Sequence, residues 1–149
     1  MANPLTVQGY LNRILTSVYV TDYPQLNVTA SFMSKALSQL TFDDDTNDQI
    51  GSATGLINSP KPYQMASLQV NILRSQVLPA LYYAQVASLA IVGTVTVYTD
   101  SPTLPPFILY NSTIMHVDPG AFDGMDPTTK VTFKGYYPVN DALWTGAPL

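Results

Sequence analysis

His116 stands two positions before Asp118, a spacing at which an imidazole could act as a general base with a carboxylate to orient it. A nucleophile to complete the set is lacking. In Gly51-Ser52-Ala53-Thr54-Gly55 the two glycines have the separation of a nucleophile elbow, but the middle position is Ala53 rather than serine. Strand alternation puts His116 on the side of Ile108, Tyr110 and Ile114, where it reads as an ordinary strand-end residue. The acidic run Asp43-Asp44-Asp45-Thr46-Asn47-Asp48 invites a calcium reading, since a loop opening at Asp43 places Asp45 and Asn47 correctly. That pattern breaks at its sixth position, where Asp48 replaces the required glycine, and at its twelfth, where Thr54 replaces glutamate. The run therefore reads as a solvated acidic loop. With no cysteine, no glutamate and one histidine, thiolate chemistry, Glu-pair acid–base chemistry and histidine-rich metal sites are excluded. Neither a dinucleotide fingerprint nor a phosphate loop occurs. No catalytic set, cofactor or metal is expected.

A length of 149 residues suits a single domain, 1–149. Charged residues are 11%, against about 25% in an ordinary soluble domain. Ten Asp oppose four Lys (35, 61, 130, 134) and two Arg (13, 74), for a net charge of −4. A phosphate-binding footprint needs the opposite sign. The start, Met1-Ala2-Asn3-Pro4-Leu5-Thr6, has neither a basic nor an apolar region of a secretory signal. Ser75–Thr99 is free of charge over 25 residues, long enough to cross a bilayer. Its pattern changes midway, however, from helical spacing at Leu78, Leu81, Tyr82 and Val86 to alternation at Ile91, Val95 and Val97. A helix running into a strand is expected, with no membrane insertion.

The elements that would carry these residues follow from periodicity and turn chemistry. Strands are expected over Arg13–Thr21, Lys35–Phe42 and Tyr63–Leu73, then a helix over Pro79–Ser88 with proline at its first position. Leu89–Tyr98, Phe107–Val117 and Thr128–Tyr137 complete the strands. Three strands, a helix and three strands make a mainly β (α+β) domain: an antiparallel sandwich or open barrel with one flanking helix. Asp43–Pro62 forms a long loop or hairpin in this reading, anchored by no clear element.

The strand faces carry little charge. Ala66, Leu68, Val70 and Ile72 face a core, which leaves Ser67, Gln69 and Asn71 opposite. In Leu89–Tyr98, Ile91, Val95 and Val97 face inward and Thr94, Thr96 and Tyr98 outward. A free β domain protects its edges and wet faces with charge, above all lysine. Neutral faces rich in Tyr and Thr suit burial against copies of the same chain. Ten tyrosines could alternatively stack on sugars in a carbohydrate-binding sandwich, although in strands tyrosine is chiefly a cross-strand packing partner.

One family shares this order of elements. A polar strand ends near Arg74, a short helix follows, the Gly93 strand closes on Asp100-Ser101, and the Ile114 strand comes next. Then come Asp118-Pro119-Gly120-Ala121-Phe122-Asp123-Gly124-Met125-Asp126-Pro127 and Val131-Thr132-Phe133-Lys134-Gly135-Tyr136-Tyr137-Pro138-Val139-Asn140. Together these stretches resemble the tail tube proteins of contractile-tailed bacteriophages. The distinctive motifs lie in residues 89–144, and Asp43–Pro62 matches no motif residue by residue. The resemblance implies a structural, non-enzymatic virion protein, made in the host cytoplasm and closed into hexameric rings. Such rings stack into a tube that works with sheath and baseplate proteins, and DNA passes along the lumen without specific binding. A related baseplate or head–tail adaptor ring is the alternative within the same architecture. On this reading Ser67, Gln69, Asn71, Thr94 and Thr96 face the lumen or a neighbouring subunit. Asp43, Asp44, Asp45 and Asp48 sit on a loop between rings, where they would meet lysines from among Lys35, Lys61, Lys130 and Lys134.

Overall fold

The computed structural model describes residue 9 and residues 11–144; the Met1–Thr6 segment lies outside them. Strands β1 (Ser17–Val20), β2 (Met33–Phe42), β3 (Asn47–Gly51), β4 (Leu56–Pro60) and β5 (Tyr63–Leu73) precede helix α1 (Leu78–Ser88). β6 (Ile91–Tyr98), β7 (Phe107–Asp118), β8 (Thr128–Pro138) and the single turn α2 (Asp141–Trp144) follow. Six strands form one antiparallel sheet in the order β1-β6-β7-β8-β5-β2, and β3 pairs only with β4. The sheet curls into a half-barrel, the open-barrel form of the two expected architectures.

The curl shows in one aromatic cluster. Phe42 on β2 and Phe107 on β7 have ring centroids 6.4 Å apart, and Tyr137 on β8 lies 5.6 Å from each. In a flat sheet, three strand spacings would hold β2 and β7 about 14 Å apart. The concave face holds the core: register pairs Leu68 with Phe133, Val70 with Val131 and Val95 with Leu109, all fully buried. Helix α1 lies over this face, where Leu78 and Tyr82 are buried and the Tyr82 ring sits 5.9 Å from that of Phe133. The Tyr82 hydroxyl donates to the Leu26 carbonyl, so the one polar atom of that ring is satisfied in the core.

Burial raises the Tyr82 pKa well above the ordinary tyrosine value, because a phenolate there would lose its hydration. The stability this contributes is complete below about pH 10. Above that the unfolded chain releases the proton while the folded chain keeps it, so stability falls by up to about 1.4 kcal/mol per pH unit. Urea unfolding between pH 8 and 11 checks this, and a Tyr82→Phe variant with an unchanged slope contradicts it.

Alternation is broken in three strands, and this moves several side chains from their expected faces. In β6 an extra residue lies between Ile91 and Gly93, and Gly93 has φ +80°, which a side chain resists. Val92 is therefore buried in place of Ile91, which is 57% exposed. In β7 a bulge at Asn111 (φ +51°) and another between Ile114 and His116 separate residues expected to share a side. Ile114 faces the core, while Ile108, Tyr110 and His116 are exposed. β2 takes three extra residues between Met33 and Ser38, where Leu37 adopts φ +56°. The expected strand over Arg13–Thr21 begins only at Ser17, because Asn12 accepts the Ile14 amide through its side chain and starts a helical turn over Arg13–Leu15.

The two sheet edges are treated differently. Val18 and Val28 exchange both backbone hydrogen bonds at 2.8 Å, and Asn27 Oδ1 accepts the Val20 amide, so the outer edge of β1 is occupied. Along β2 the only charge is Lys35, and no described strand pairs with its outer edge.

Candidate assembly surfaces

The convex face of the sheet gathers the neutral residues picked out in the sequence. Register sets Gln69 beside Gln39 and Thr132, Ser67 beside Thr41 and Lys134, and Thr96 beside Tyr19 and Ile108. Thr94 lies on the same side of β6, one alternation before Thr96. Ser67, Gln69 and Asn71 thus share one face with Thr94 and Thr96, with β8 and β7 between the two groups. Asn71 differs in being only 6% exposed, so it is already enclosed within the chain.

Tyrosines pair across this face as the strand rule requires. Tyr19 meets Tyr98 edge-on with centroids 5.2 Å apart, and Tyr136 meets both Tyr63 and Tyr110, at 5.6 and 5.7 Å. The charges on the face are matched. Asp118 is the register partner of Lys130, and Lys134 Nζ lies 3.8 Å from Asp43 Oδ2. His116 Nε2 is 3.4 Å from Asp118 Oδ2, with both side chains more than half exposed. Among the described residues no three His, Asp or Glu side chains converge to hold a metal ion.

Asp43–Pro62 is a hairpin. β3 and β4 pair from Asn47↔Pro60 to Gly51↔Leu56, and Ser52 closes the tip through its amide and hydroxyl on the Gly55 carbonyl. Its base is fastened to the end of the domain: Asn140 donates to the Thr46 and Lys61 carbonyls, and Trp144 Nε1 to that of Pro62. Asp43 accepts from Ser67 Oγ at 2.7 Å beside Lys134, while Asp44 Oδ2 accepts the Met65 amide. Asp48 lies 3.7 Å from Lys61. Two of the lysine pairings expected between subunits are therefore made inside the chain: the order β8-β5-β2 brings Lys134 to Asp43, and the β3–β4 pairing brings Lys61 to Asp48. Asp45 is exposed. The hairpin is exposed along most of its length, and among its polar residues it presents three large apolar ones: Ile50 and Ile57, opposite each other in register, are 54% and 57% exposed, and Leu56 is 56% exposed.

A third feature, the loop from Asp118 to Pro127, is held by Arg74. The guanidinium donates to the Pro119, Ala121 and Asp126 carbonyls and lies 5.6 Å from the Phe122 ring centroid. Asp123 Oδ1 accepts the Met125 and Asp126 amides, and these bonds hold its carboxyl below the usual carboxylate range. Position 120 requires glycine twice over: its φ is +83°, and a Cβ there would sit 2.6 Å from the Thr128 carbonyl oxygen. Sequence reasoning missed the role of Arg74; a signal was present in an isolated arginine ending a long strand of a chain with two arginines. Arg74→Ala should lower stability by about 2 kcal/mol, the scale of partly exposed hydrogen bonds to a charged group. It should also make chymotrypsin cut after Phe122, and an unchanged digestion rate would contradict the clasp. The chain matches no protein-family model and no curated protein.

Proposed function

We propose that the protein is a structural subunit that assembles with its own copies into a tube of stacked rings around a lumen, as in the contractile phage tails it resembles. The observation that carries this reading is the convex sheet face. It spans six strands, is rich in Tyr, Thr, Ser and Gln, and sets Lys130 opposite Asp118 in register and Lys134 beside Asp43. A face so balanced does not capture phosphates, which is what a conduit for DNA requires. On β1, β5 and β6 it also carries none of the charge by which an isolated sheet resists association.

The hairpin and the open β2 edge support the same reading. A two-stranded ribbon is marginal alone in water, and Ile50, Leu56 and Ile57 gain from burial against another subunit or ring. Six-membered rings, a surrounding sheath and a baseplate complete the proposal by resemblance. At micromolar concentration the purified protein should sediment as particles many times its 16.2 kDa mass. In those particles Gln69→Cys and Thr94→Cys should react slowly with a maleimide too bulky to enter a lumen, and quickly once dissociated. A monomer over a wide concentration range, or equal reaction rates in both states, would overturn the reading.

A further inference from the structure

Phe122 and Met125 are the two most exposed large apolar side chains among the described residues, at 83% and 85%. Both sit on the loop that Arg74 clasps and Asp123 and Asp126 cap, so their backbone is fixed before any partner arrives. Held aromatic side chains are the usual centre of a protein contact, because little ordering entropy remains to be lost.

The same chain carries a hollow of matching chemistry. At the Asn111 bulge the convex face opens into a recess of about 310 Å³ lined by Met65, Thr113, Met115, Lys134, Gly135 and Tyr136. A closed cavity of about 150 Å³ accepts benzene, so this recess has room for a phenyl ring and part of a second side chain. Met65 and Met115 offer adaptable, polarisable walls that favour an aromatic guest. The loop is acidic on balance, with Asp118, Asp123 and Asp126 against the clasping Arg74, while the charged residue of the recess lining is Lys134, which also lies 3.8 Å from Asp43.

Within the subunit the loop leaves this recess open, because Phe122 lies against Arg74 and stays 83% exposed. We infer that Phe122, with Met125 beside it, inserts into the Met65–Met115–Tyr136 recess of a second copy of this chain. Knob and recess occupy different places on the subunit, so the contact is head-to-tail and repeats from copy to copy, as rings and filaments require. The inference rests on the self-assembly proposed above and assigns this part of the convex face to a neighbouring subunit.

The chain lacks cysteine, which makes the test direct. Phe122→Cys protein mixed with Met115→Cys protein should form an intermolecular disulfide on oxidation, whereas Leu104→Cys mixed with Met115→Cys should not. Phe122→Ser with Met125→Ser should weaken self-association at least about tenfold, with thermal unfolding of the subunit unchanged because both side chains are exposed. If the wild type assembles and the double variant assembles equally well without a cross-link, the knob is overturned and the tube reading stands. A cross-link from Met115→Cys to Ile57→Cys instead would give the recess to the hairpin and also overturn it. A wild type that stays monomeric, with no cross-link, overturns both.

Discussion

Ile50→Ser combined with Ile57→Ser should weaken assembly at least about tenfold while leaving the melting of the subunit unchanged. The two side chains face each other across β3 and β4, more than half of each is exposed, and no described element covers them. Fully burying an isoleucine is worth about 1.5–3 kcal/mol, and a little over half of each is left to bury, so losing two from a contact removes about 1.7–3.3 kcal/mol, or about one to two decades in affinity. The subunit itself keeps its core, because the hairpin is fixed at its base by Asn140, Trp144 and Asp44 rather than by its apolar residues. Sedimentation across a dilution series and a thermal melt check the two halves of this expectation. Undiminished assembly of the double variant would remove the hairpin from any account of subunit contacts.

Phe133→Ala should reduce stability by about 3–5 kcal/mol, a large share of the roughly 5–15 kcal/mol that holds a domain together. Phe133 is fully buried, lies beside Leu68 and Ile114 in register, and meets the ring of Tyr82. It joins the sheet to the helix, and neither can close over the space it leaves without breaking the β8 ladder. At this size the loss corresponds to a fall in Tm of roughly 10–15 °C. Phe122→Ala is the control: the same deletion at an exposed site should change stability by no more than about 0.5 kcal/mol. A Phe133→Ala protein within about 1 kcal/mol of the wild type would contradict the packing described for the core.

The long alternation of Tyr63–Leu73 and the helix after Pro79 were legible because each has one period and unambiguous neighbours. β5 runs as expected and α1 begins one residue earlier, at Leu78. The faces of β6 and β7 were not legible, since Gly93 and Asn111 each sit at an inserted residue, and a period-2 pattern carries no sign of where a bulge falls. β3 and β4 were hidden for another reason. Asp48, Gln49, Asn58 and Ser59 have weak strand preference, and the ribbon is two-stranded, so no buried face imprints a pattern on it. Arg74 shows a third kind of opacity. Its partners are the carbonyls of Pro119, Ala121 and Asp126, about fifty residues away, and backbone acceptors leave no trace in residue type. For the candidate surfaces, alternation placed Ser67, Gln69, Thr94 and Thr96 on non-core faces, but only the strand order shows that these belong to one face.

Electron microscopy of the purified protein reads assembly and shape together and so decides whether the subunit forms a tube. The account predicts hollow filaments of uniform diameter and indefinite length, built from stacked rings, and shorter or absent in the Ile50→Ser, Ile57→Ser variant. Fields of isolated 16.2 kDa particles, or single rings that never stack at any concentration, would contradict it.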